Sequence, residues 1–74
     1  MKLTWECGVC GAHYLYLRDR RVAGLEWWTG GYRVFLLLAP RALARAEADD
    51  LPEAKRLAET MVRDWFAYMT AEEP

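Results

Sequence analysis

The chain has 74 residues, 54% of them hydrophobic, with four Trp, four Tyr and two Phe, and its formal net charge is −1. A chain of this length makes one domain with a thin core, since it buries only about 60% of the surface it exposes when unfolded, and it is far too apolar for a disordered tail. It contains no Ser, Asn, Gln or Ile, which excludes serine-nucleophile chemistry and the bidentate Asn or Gln contacts to adenine used by many major-groove readers.

Short runs rich in aromatic and β-favouring residues fill the first half of the chain. Residues 3–6, 13–18, 22–28 and 32–38 read as four strands separated by Gly-containing or charged breaks. Asp19-Arg20 marks a turn between the second and third strands, and Gly30-Gly31 supplies positive φ angles for a tight hairpin between the third and fourth. Connections this short make the sheet antiparallel. Residues 39–49 are ambiguous. Ala42, Ala44, Ala46 and Ala48 alternate as in a fifth strand at 43–47, while Ala propensity favours a helical turn over 41–48.

From Leu51 to Met69 the period changes. Leu51, Ala54, Leu57, Ala58, Met61, Val62, Trp65, Tyr68 and Met69 form one apolar stripe, with Lys55, Arg56, Glu59, Thr60, Arg63 and Asp64 on the other side. This is an amphipathic helix over 51–69, capped by Asp50 with Glu53 as its reciprocal partner and tolerating Pro52 in its first turn. Glu59 and Arg63 make an i,i+4 pair on the exposed side. The expected fold is α+β: a single domain with an antiparallel sheet of four or five strands packed against one C-terminal helix.

Alternation gives the sheet two unlike faces. Leu3, Trp5, Leu15, Leu17, Ala23, Leu25, Trp27, Val34 and Leu36 assemble into an apolar face for the helix, with Glu6, Tyr14, Tyr16, Arg18, Val22, Glu26, Trp28, Arg33, Phe35 and Leu37 on the opposite one. One helix cannot cover both. An aromatic patch left in water marks an interaction surface, and Tyr, Trp and Arg are enriched at interface hot spots. Tyr14, Tyr16, Arg18, Trp28, Arg33, Phe35 and Leu37 are therefore the candidate partner-binding residues. The bland alternative is that these aromatics only stabilise cross-strand pairs. The same rings flanked by Arg18 and Arg33 also resemble a stacking platform for single-stranded nucleic acid.

Charge bears on the partner. Residues 1–45 carry seven Lys/Arg against three Asp/Glu, whereas 46–74 carry three against eight. A chain acidic overall is a poor nucleic-acid ligand, because phosphate neutralisation dominates that affinity. The basic and acidic parts are suited to attract each other or a second copy, so a homodimer is one expected state and a protein partner another. The longest apolar run, residues 34–39, falls short of the roughly 20 that span a bilayer, and the first residues show no basic-then-apolar leader. The expectation is a cytoplasmic protein with no membrane association.

Cys7-Gly-Val-Cys10 followed by His13 is the one motif with chemical potential, since a Cys-x2-Cys turn presents two thiolates at zinc-compatible spacing. It resembles half a zinc ribbon, with Trp5 before the first Cys and Gly11 after the second. Structural zinc takes four ligands. With no other Cys or His in the chain, a site on Cys7, Cys10 and His13 would need Glu6, Asp19 or a second chain to complete it. No cofactor is expected, zinc being the one alternative. As a redox motif the pair lacks the helix N-terminus that activates a thioredoxin-like cysteine, which leaves two reduced cysteines in a hairpin turn. The chain has no P-loop, GxGxxG or HExxH and little room for a ligand pocket beside its core, so the reading is not an enzyme.

The run Tyr32-Arg33-Val34-Phe35 through Ala46-Glu47-Ala48-Asp49-Asp50-Leu51-Pro52-Glu53-Ala54-Lys55-Arg56-Leu57-Ala58-Glu59, about half the chain, resembles a pattern common in small phage and prophage proteins. In those, aromatic and Gly-bearing strands lead into an acidic-Leu-x-Glu-Ala-Lys helix start. Several anti-CRISPR proteins are similar in size and in their sheet-plus-helix build. The resemblance implies a stoichiometric inhibitor that occupies a functional surface on a host defence complex, and it assigns no individual residue a role.

Overall fold

The computed structural model describes residues 2–38 and 45–70. Five strands, β1 (Leu3–Cys7), β2 (His13–Leu17), β3 (Arg20–Trp28), β4 (Gly31–Leu36) and β5 (Arg45–Ala48), precede one helix, α1 (Leu51–Thr70). The strands lie in chain order and every neighbouring pair is antiparallel. The fold is α+β, one antiparallel sheet with a C-terminal helix against it.

Pairing decides the segment that composition left ambiguous. Ala46 and Ala48 sit opposite Val34 and Tyr32, and Ala48 is buried, so ladder and core contacts override the helix propensity of alanine. Residues 43–44 of the expected fifth strand, and 41–44 of the alternative helical turn, lie outside the described residues. Over Arg45–Ala48 the chain is a strand.

The hairpin turns are shifted by one residue from their sequence expectation. β3 and β4 are joined by Thr29-Gly30, with Trp28 opposite Gly31 and only Gly30 in the left-handed region, at φ 80°. Gly31 already belongs to β4, where a Cβ would stand 2.6 Å from the Ala48 carbonyl oxygen. Between β2 and β3 the turn is Arg18-Asp19 rather than Asp19-Arg20, because Leu17 pairs with Arg20. Arg18 thereby takes φ 60° instead of continuing the strand, a conformation that costs an L-residue about 1 kcal/mol.

A bulge interrupts β3. Leu15 faces Ala23 and Tyr16 faces Arg21, so Val22 is an extra residue on its strand, fully buried. A bulge of this kind resets which face the following side chains take.

The helix side of the sheet holds Leu3, Trp5, Leu15, Leu17, Ala23, Leu25, Val34 and Leu36, which the registers align across β1 to β4. Ala54, Ala58 and Val62, four residues apart along α1, are fully buried against them. Their small side chains let the helix lie close to the sheet, while Leu51, Leu57, Met61, Trp65 and Phe66 pack around them half-buried. Tyr68 and Met69, at the end of the expected stripe, are exposed. The Asp50 carboxylate accepts the Glu53 amide at 2.9 Å, and its carbonyl accepts the Ala54 amide at 2.9 Å, which is the N-cap the sequence calls for. No helix among the described residues is long and apolar enough to cross a membrane.

Glu59 corrects the sequence picture of the helix surface. Instead of lying on the solvent side, its carboxylate accepts the Trp5 indole N–H at 2.8 Å while holding Arg63 at 3.9 Å. The Lys55 ammonium sits 5.4 Å from the Trp5 ring centre. Through these contacts β1, at the edge of the sheet, is tied to α1.

Candidate functional site

The face of the sheet turned away from α1 is built around Tyr14. Its ring spans Gly8 on one side and Gly24 on the other: a Cβ would stand 2.6 Å from Tyr14 Cε2 at the first and 3.3 Å from Cδ1 at the second. The Arg21 guanidinium lies 4.0 Å from the centre of that ring and 5.6 Å from that of Tyr16. Arg21 Nε and Nη2 donate to the Tyr16 hydroxyl at 3.2 and 3.0 Å. This hydrogen bond holds the guanidinium above its ordinary pKa.

A second guanidinium repeats the arrangement on the neighbouring hairpin. Arg33 stacks 3.8 Å from the Trp28 ring centre, a cation–π contact that fixes a long, flexible side chain against a rigid one. Trp28 and Leu37 remain 49% and 51% exposed. Between the rings Gly24 has no side chain, and Ala12, Tyr14, Gly24, Leu25, Glu26, Phe35 and Leu37 line an open hollow of about 210 Å³. That is smaller than the roughly 300 Å³ of a typical small-molecule pocket, and it suits one apolar side chain of a partner.

Of the expected partner-binding residues, Tyr14, Tyr16, Trp28, Arg33 and Phe35 are brought together here, with Leu37 at the rim. Arg18 is not among them, being exposed in the β2–β3 turn. The cation that engages Tyr14 and Tyr16 is Arg21, which strict alternation places with Ala23 on the helix side. The bulge at Val22 moves it across, and no residue type in the Arg20–Ala23 stretch announces a bulge.

Cys7 and Cys10 are free and exposed. Cys7 is the cross-strand partner of His13, with Sγ 3.7 Å from Nδ1, and the imidazole stacks on Tyr32 with ring centres 6.5 Å apart. Cys10 sits in the loop between them, at φ 56°. Among the described residues no three His, Cys, Asp or Glu side chains are grouped to hold a metal ion, so neither Cys10, Glu6 nor Asp19 completes a metal site with the adjacent Cys7 and His13.

No protein-family model matches the chain, and neither a curated protein nor a solved structure does.

Proposed function

We propose that this chain is a non-catalytic protein-binding domain that docks through the open face of its sheet. The observation that carries the reading is the pair of guanidinium groups fixed on aromatic rings, Arg21 on Tyr14 and Tyr16 and Arg33 on Trp28, on the face that also holds the hollow lined by Tyr14, Gly24, Phe35 and Leu37. Pre-ordered Arg and aromatic side chains lose little entropy when a partner closes over them, and these types carry binding energy at interface centres. A stoichiometric inhibitor that covers a functional surface on a host defence complex, as the likeness to small phage proteins implies, is one form such docking takes. Base stacking fits less well, because a nucleobase would have to displace the guanidinium groups from the rings.

The test is Trp28→Glu, which places a charge on the exposed face at the hairpin end of β3 and leaves the helix side untouched. The expected result is loss of capture of the partner retrieved by the wild-type chain, with a melting temperature within a couple of degrees of wild type. If light scattering shows a wild-type dimer that the substitution turns into a folded monomer, the partner is a second copy. Unchanged mass and unchanged capture would move the working surface off this face.

A further inference from the structure

The corner of the sheet formed by the β1–β2 loop and the far ends of β3 and β4 carries chemistry that partner docking does not use. Cys7 and His13 close the β1–β2 hairpin as its last pair, with thiol and imidazole Nδ1 3.7 Å apart. That is within hydrogen-bonding reach for sulfur and is the geometry of a nucleophile beside its base. The imidazole is oriented by its stack on Tyr32, at an interplanar angle of 27°. Gly11, at the loop tip, lies close to Trp27, itself 57% exposed, and the Cys7 thiol is open to solvent. The loop is fixed by Gly8 N–H donating to the Ala12 carbonyl at 2.8 Å and Ala12 N–H to the Val9 carbonyl at 3.0 Å. It holds Cys10, the only other cysteine of the chain. Where the sequence offers no helix N-terminus beside the thiol, the fold places an imidazole across the hairpin from it.

We infer that Cys7 is a thiol-exchange nucleophile with His13 as its base and Cys10 as the resolving thiol, and that it reacts with low-molecular-weight disulfides. In the first step the Cys7 proton passes to His13 Nδ1 as the sulfur attacks one sulfur of the disulfide. The S–S bond breaks, and the departing thiolate takes the proton to leave as a thiol. In the second step Cys10 attacks the Cys7 sulfur of the mixed disulfide and displaces the second thiol, which leaves with the Cys10 proton. The chain loses two electrons and two protons and closes a Cys7–Cys10 disulfide, while the small disulfide is reduced to two thiols. This is one event per chain, not turnover, and it lies on the side of the sheet away from the proposed docking face.

The experiment treats the reduced full-length chain with glutathione disulfide and follows each cysteine by mass spectrometry. The wild-type chain is expected to finish as the internal disulfide, and Cys10→Ser to stop with one glutathione on Cys7. His13→Phe keeps a ring against Tyr32 and removes the base. It is expected to slow Cys7 by about tenfold or more, with added imidazole recovering part of the loss. Cys10 in a Cys7→Ser chain, whose rate should not respond to His13→Phe, reports any general loosening of the hairpin. Equal rates at the two thiols, an unslowed Cys7 in His13→Phe, slowing that imidazole does not relieve, or a wild-type mixed disulfide that never resolves would each overturn the assignment.

Discussion

Tyr14 and Arg21 show how much of the open face depends on single side chains and on the absence of others. The Tyr14 ring fits because Gly8 and Gly24 have no Cβ in its way, and Arg21 reaches it because Val22 is bulged. Arg18 illustrates the opposite case, a residue held where its own backbone resists. At φ 60° it pays the left-handed penalty that glycine avoids, so Arg18→Gly is expected to raise stability by about 0.5 kcal/mol once the added freedom of the unfolded chain is subtracted. A thermal melt should show a rise of a few degrees, and a fall would place the turn elsewhere. Glu59 is the residue whose role composition hides most fully. A long carboxylate at the margin of a helix is ordinarily solvated, but here it accepts the Trp5 indole N–H. A charge-assisted hydrogen bond of this kind, partly exposed, contributes about 1–2 kcal/mol. Trp5→Phe, which keeps the ring and loses the donor, should destabilise by that amount, and Glu59→Ala in the Trp5→Phe background should add little. Full additivity of the two losses would show that the pair does not interact.

At the scale of elements, α1 and the sheet differ in how far they can be read from sequence. The helix follows from its apolar period and its Asp50 cap, both local properties, and the helix-side residues of β1 to β4 follow from simple alternation. The bulge at Val22, the pairing of Cys7 with His13 and the exact turn residues depend on hairpin register, which a one-residue shift in a turn changes and which alternation of residue types does not reveal. The seam between helix and sheet is built on small side chains at its centre. Leu57 and Trp65 flank it, while Ala54, Ala58 and Val62 occupy its centre. Ala58→Leu should therefore cost about 1–3 kcal/mol by forcing the helix off the sheet. Leu57→Ala, at a half-buried position, should cost about 2 kcal/mol, near the low end for such truncations. A melt in which Leu57→Ala is damaging and Ala58→Leu is silent would contradict this packing. The β1–β2 hairpin is closed by its own ladder and loop hydrogen bonds, so a chelator is expected to leave the melting temperature unchanged. Chelator-induced unfolding, with stoichiometric zinc by elemental analysis, would show that metal holds this hairpin together.

For the whole molecule, one helix against a five-stranded sheet leaves a second face that the chain cannot cover with the elements described. Most of that face was legible in advance, because alternation groups Tyr14, Tyr16, Trp28, Arg33 and Phe35 without knowledge of register. Its organisation was not, since stacking of Arg21 and Arg33 on particular rings depends on the bulge and on side-chain geometry. The most direct test of the docking surface is to titrate the captured partner, or a second copy, into isotope-labelled chain and follow backbone amide shifts by NMR. The largest changes are expected on Tyr14, Tyr16, Arg21, Gly24, Trp28, Arg33 and Phe35, with the exposed side of α1, at Arg56, Thr60 and Arg63, unmoved. Changes concentrated on those helix positions, with the open sheet face silent, would contradict docking through this face.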